Sequence, residues 1–166
     1  MKLAATMSAL ALLLLGACNS NTSPGNDKEA GVDPAPKPAP KMPAAEALAG
    51  IAVEAVQAET MSDADIASIG GQAGKCTIRL TAVGFPSFIR DAGGRSGVIK
   101  LNGKLIPVQS SGNGLYQDGG LKVVLRPVDA NFGSDGRREA EMIVLLPGAK
   151  DELGYRGYEQ CPKGGA

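Results

Sequence analysis

Apolar and polar positions divide the chain into four stretches of different period. Residues 3–15 are almost continuously apolar, and residues 19–43 have no apolar period at all, with proline at nearly every second position from Pro34 to Pro43. Between residues 44 and 69, Leu48, Ile51, Ala52, Ala55 and Val56 recur at helical spacing, which predicts a helix over about 44–58. Ser62 or Asp63 is placed to cap a second short helix through Asp65, Ile66 and Ile69, ending at Gly70-Gly71. From Cys76 the period switches to two: Cys76, Ile78, Leu80 and Ala82 fall on one face of a strand, and Thr77, Arg79 and Thr81 on the other. Strands over 96–101 and 104–108 flank Asn102-Gly103, whose residues suit the positive φ angles of a type I′ hairpin turn. Further strands are predicted over 114–117, 121–126, 138–146 and 153–161, separated by Asp118-Gly119-Gly120, Ser134-Asp135-Gly136 and Pro147-Gly148. The fold class is therefore mainly β, a small antiparallel barrel or sandwich of six to eight strands preceded by one or two short helices.

The Pro-rich segment cannot build a core. Prolines hold the backbone near polyproline II, about 3.1 Å per residue, so residues 18–43 are expected to act as a semi-rigid tether. The domain plan is then residues 1–17 as a leader, 18–43 as tether, 44–71 as a helical lead-in and 72–166 as the β-domain. The leader opens with Met1-Lys2, and its apolar run is shorter than the roughly 20 residues that a membrane-spanning helix needs.

That leader ends in Leu15-Gly16-Ala17-Cys18, which resembles the lipobox of bacterial lipoproteins: an aliphatic residue, two small residues and the cysteine that is acylated and becomes the mature N-terminus. The resemblance implies that Cys18 carries the lipid and that the membrane is a partner through it. Two or three acyl chains, at about 0.8 kcal/mol per buried methylene, would anchor the protein stably. Asn19 stands where lipoproteins kept at the inner membrane carry Asp. The implied location is the periplasmic face of the outer membrane.

With Cys18 acylated, Cys76 and Cys161 are left of the chain's three cysteines. An even remainder in an exported protein predicts a disulfide, here pinning the first strand to the last and closing the β-domain. No metal site is expected from these thiols, since the chain has no histidine and no second thiol near either. Charge is balanced, 17 basic against 17 acidic residues, and stays near zero once Lys2 leaves with the leader. This argues against nucleic acid as a partner. The glycine groups at 70–74 and 112–114 lack the frame of a phosphate loop, and Asp129 to Gly136 fails the EF-hand frame, so both read as turns and no cofactor is expected. Without histidine the commonest general base is missing, and Glu139 and Glu141 beside Arg137 and Arg138 read as a solvated charged edge. A non-enzymatic protein is the expectation.

The segment Ser110-Ser111-Gly112-Asn113-Gly114-Leu115-Tyr116 resembles the Ser-Gly-x-x-Tyr loop of the membrane-bound inhibitors of C-type lysozyme, lipoproteins with a small disulfide-closed β-barrel. Tyr116 comes one residue late, and the family's tryptophan is missing. In that family a loop serine and a later lysine enter the lysozyme cleft, which nominates Ser111 and Lys122 here. Near the C-terminus Tyr155, Arg156 and Tyr158 are of the residue types enriched at binding hot spots, although strand spacing puts the two tyrosines on opposite faces. The expected function is that of an outer-membrane-anchored binding or structural β-domain whose partner is an envelope protein or glycan, the alternative being a lysozyme inhibitor acting through the loop from Ser110 to Tyr116.

Overall fold

The structure, a computed structural model, describes residues 36–162. Its centre is a run of eight strands: β1 (Lys75–Arg79), β2 (Phe88–Asp91), β3 (Ser96–Leu101), β4 (Lys104–Gly112), β5 (Leu115–Asp118), β6 (Leu121–Pro127), β7 (Arg137–Leu145) and β8 (Leu153–Gln160). Each strand pairs antiparallel with the next, and β8 returns to β1 through Thr77↔Gln160, Ile78↔Glu159 and Arg79↔Tyr158, so the sheet closes into a barrel. Closure removes full edge strands and leaves an open flank at the start of β4, where β5 pairs only from Gln109 onward. The disulfide Cys76–Cys161, with Cα atoms 4.2 Å apart, lies beside this seam and covalently links its two strands.

Alternation along the strands sorts the side chains. Ile78, Phe88, Ile99, Leu101, Ile106, Val108, Leu121, Val123, Met142 and Val144 fill the interior. Their neighbours Ile89 and Leu105 point the other way and form a second cluster with Met61 and Ile66, beneath helix α2 (Asp63–Ser68). Sequence reading places the hairpin turn well: Asn102 and Gly103 have φ of 42° and 70°, the left-handed pair that a type I′ turn requires. It misses β2, because Phe88 and Ile89 form only a short apolar pair between Pro86 and Gly93 and leave no alternation to read. β1 also stops at Arg79, short of the alternation that runs on to Ala82.

The predicted helix over 44–58 is not one helix. It forms a single turn, α1 (Ala44–Ala47), is interrupted at Gly50 with φ of 71°, and resumes as a 3-10 turn over Val53–Ala55. Isolated helices of this length are marginal, and tertiary hydrogen bonds replace the helical ones here. The Asp118 carboxylate accepts the Ala44 N–H at 2.6 Å, Asn102 accepts from the Gln57 N–H and donates to the Ala55 carbonyl, and the Tyr155 hydroxyl accepts from the Ala58 N–H. Ala44, Ala47 and Val56 join the barrel core. The lead-in is thus a plug across one end of the barrel. The second predicted helix forms with a capping box in which Ser62 and Asp65 satisfy each other's backbone N–H groups.

The tether expectation over 18–43 needs a correction at its end. Pro40 accepts a hydrogen bond from the Leu105 N–H, Met42 donates one to the Leu105 carbonyl, and the Ala39 N–H donates to Asp65 at 2.6 Å. A docked strap occupies this stretch because the open flank of β4 and the α2 carboxylate offer partners to its backbone.

Candidate binding site at the open barrel mouth

Successive strands run in opposite directions, so their connections alternate between the two ends of the barrel. The turns at Asn102-Gly103 and Asp118-Gly120 lie at the plugged end, where Asn102 and Asp118 hold the plug. The loops after β2, β4 and β6 lie at the other end, which opens into a cavity of about 630 Å³. Its chemistry comes from charged residues at interior strand positions. Two residues beyond interior Phe88, Arg90 turns inward; Arg138 does so before interior Ala140 and Met142, and Glu159 after Tyr155 and Gly157. Each of these positions is forced by period two.

The three side chains form one network. Arg90 Nη2 donates to Glu159 Oε1 at 2.8 Å, with Arg90 Nε at 3.3 Å, while Arg138 Nε and Nη2 reach Glu159 Oε2 at 2.7 and 2.6 Å. Glu159 is only 4 % exposed, and both its carboxylate oxygens are met by guanidinium groups. The ring of Phe132, from the β6–β7 loop, lies 4.4 Å from the Arg138 guanidinium carbon and braces it from outside. Tyr116 stands edge-on to Phe88, ring centroids 5.2 Å apart. Burial pushes its hydroxyl above the ordinary tyrosine range; the Arg90 charge opposes this, and Asp91 and Glu159 add to it. Arg95 and Arg126 stand on the rim. Burial acts to raise the Asp91 carboxyl, but hydrogen bonds from the Arg95 N–H and from the Ser96 N–H and hydroxyl outweigh it and hold the group below the ordinary range.

The residues nominated from the sequence do not gather at one place. Cys18 lies outside the described residues. Cys76 and Cys161 are bonded to each other, and although Glu159 sits close to both sulfurs, a disulfide offers no thiolate to a metal. The segment from Ser110 to Tyr116 is a tight hairpin with its turn at Asn113-Gly114, not a projecting loop. Ser111 is the extra residue of a β-bulge and is exposed, whereas Tyr116 is 3 % exposed and faces the cavity. Lys122 is exposed on the outer wall, beside a groove near the plugged end with Pro147, Asp151 and Glu152. Tyr155 packs against the core and holds the plug, Tyr158 is exposed, and Arg156 pairs with Glu139 at 2.8 and 3.1 Å on the outer wall. The expected charged edge therefore divides: Glu139 faces outward, and Arg138 faces the mouth.

Sequence reading passes over Arg90 and Glu159 and takes Arg138 only as part of a solvated charged edge. For Glu159 a signal existed, since it shares an alternation face with Tyr155 in a strand that was predicted. Arg90 lies in the strand that was missed.

A family profile matches residues 14–164, nearly the whole chain. The chain belongs to the family described as domain of unknown function DUF6692. The DUF6692 match takes in Cys18, the strap, the plug and every barrel strand. No curated protein and no solved structure matches the chain.

Proposed function

We propose that the protein is a non-enzymatic binding domain of the bacterial envelope, anchored through acylated Cys18 at the periplasmic face of the outer membrane and binding its partner at the open barrel mouth. The observation that carries this reading is the asymmetry of the barrel: one end is plugged by residues 44–58, and the other opens into a polar cavity of about 630 Å³. Pockets of this size and placement, at the mouths of β-barrels, are where small ligands bind. The absence of catalytic function is supported by the same residues. Glu159 is bound on both oxygens, Tyr116 is held protonated by burial, and the chain has no histidine to act as a base.

Two measurements test it. Mass spectrometry of the protein from its own host is expected to find a lipid-modified N-terminal Cys18, and an unmodified Cys18 rejects the anchor. A photo-crosslinking residue at Asn113 on the rim is expected to capture an envelope component that the same residue at Tyr158 on the outer wall does not. Capture only from Tyr158 rejects the mouth as the binding end.

A second reading, inhibition of C-type lysozyme, is favoured by one observation: Ser111, the bulge residue, is exposed beside the arginine-bearing rim. Because Tyr116 faces inward, contact would run through Ser111 and the rim, with Lys122 reaching only from the outer wall. Undiminished lysis of cell walls by C-type lysozyme in the presence of a micromolar excess of the protein rejects it.

A further inference from the structure

We propose that the barrel mouth binds the oxyanion group, carboxylate or phosphate, of a small acidic solute, an inference that rests on the reading of the mouth as the binding end. Four arginines line the cavity, Arg90, Arg95, Arg126 and Arg138, against a single carboxylate, Glu159. Nearby acidic groups offset this excess only in part: Asp91 acts on Arg95 and Glu141 faces Arg126 across the β6–β7 ladder, whereas Asp135 pairs with Arg137, and Arg90 and Arg138 share the single Glu159. Arg95 and Arg126 form no ion pair among the described residues.

The inner pair shows how an oxyanion is held here. Arg90 and Arg138 approach Glu159 from two sides, each through Nε and Nη2, so the protein already seats one carboxylate between two guanidinium forks. Two arginines against one glutamate leave one inner positive charge unmatched, in a recess that also presents Leu125 and Ala140. A cleft lined by an excess of one sign of charge focuses its field and attracts an ion of opposite sign from solvent. The Tyr116 hydroxyl interacts with Arg90 at the cavity wall and keeps its own proton to donate. Leu125 and Ala140 offer a short carbon skeleton an apolar contact in this otherwise polar cavity, and the volume suits a solute rather than a folded segment.

The test is isothermal titration calorimetry on the full chain in detergent. Its probes are D-glucuronate for a carboxylate, sn-glycerol 3-phosphate for a free phosphate ester, glycerophosphoglycerol for a lipid headgroup, and glucose as the neutral control. Saturable binding of at least one anion but not of glucose is expected, weakening as sodium chloride is raised from low salt. Which anion binds tells the free solute from the headgroup. Arg95→Gln and Arg126→Gln, exposed and outside the buried network, are each expected to weaken binding by about two- to five-fold. Glu159→Gln removes the internal competitor and is expected to tighten binding by on the order of tenfold if it folds; the two rim variants decide the matter if it does not. Binding of glucose equal to that of the anions, or anion binding unchanged in both rim variants, overturns the inference. If in that case Asn113 still captures an envelope component and Tyr158 does not, the mouth remains the binding end and only its anion preference is wrong; if that capture fails too, both readings fall.

Discussion

Asp65 is 1 % exposed and remains charged. Burial on its own would raise its pKa. The Lys100 ammonium at 2.8 Å and the N–H groups of Ala39 and Ser62 outweigh burial and hold the group at about 2, against 3.8 for the free side chain. A pKa depressed by folding stabilises the native state above the unfolded value. That stability, about 2 kcal/mol, is fully present above pH 4 and is lost as pH falls through 2. Asp65→Asn is therefore expected to lower stability near neutral pH by about 2 kcal/mol, and the gap from wild type should close as pH falls from 4 to 2. Chemical denaturation at several pH values checks this, and a gap independent of pH rejects the linkage. Half of this residue's role was legible: its place in the capping turn followed from Ser62 and the apolar spacing. Its contacts with Lys100 and Ala39 join distant parts of the chain, and no local pattern encodes them.

Strand β8 carries two glycines with opposite demands. A Cβ on Gly157 would overlap the Arg79 carbonyl on β1, so the close approach of β1 and β8 at the barrel seam needs a residue without a side chain. A Cβ on Gly154 would meet nothing within 4 Å. Gly157→Ala is expected to cost about 3 kcal/mol as the seam is forced apart, while Gly154→Ala stays within about 0.5 kcal/mol of wild type. Thermal unfolding of the two variants side by side is the check, and equal melting temperatures reject the seam argument. The sequence identified this strand but could not tell its glycines apart, because the difference lies in the partner strand. The same limit explains the broken lead-in helix: residues 44–58 have a helical apolar period, yet Asn102, Asp118 and Tyr155 supply the bonds that bend them into a plug.

At the scale of the whole barrel, the Cys76–Cys161 disulfide ties together residues 85 apart in sequence, one on β1 and the other directly after β8, the two strands that complete the circle. In the chain-entropy account a loop of this length lowers the freedom of the unfolded state by an amount equivalent to about 4 to 5 kcal/mol. The double variant Cys76→Ser with Cys161→Ser is expected to melt more than about 10 °C lower. Its arginine network should also loosen, because Arg90 Nη2 lies 3.6 Å from the Cys161 sulfur and Glu159 is two residues away. Thermal scans of the oxidised protein and the double variant test this, and coincident curves show that the β1–β8 ladder holds the seam unaided.

By itself the sequence determined the mainly β class, the Asn102-Gly103 hairpin, most strands and the cysteine pairing, because each is carried by local period, turn chemistry or simple counting. Only the tertiary structure decided that the sheet closes, that residues 44–58 seal one end, and that Arg90, Arg138 and Glu159 converge at the other. These three come from separate strands, and their meeting depends on strand direction and register around a closed barrel. Alternation fixes which way each side chain points, but the closure of β8 onto β1 fixes which of them share a cavity.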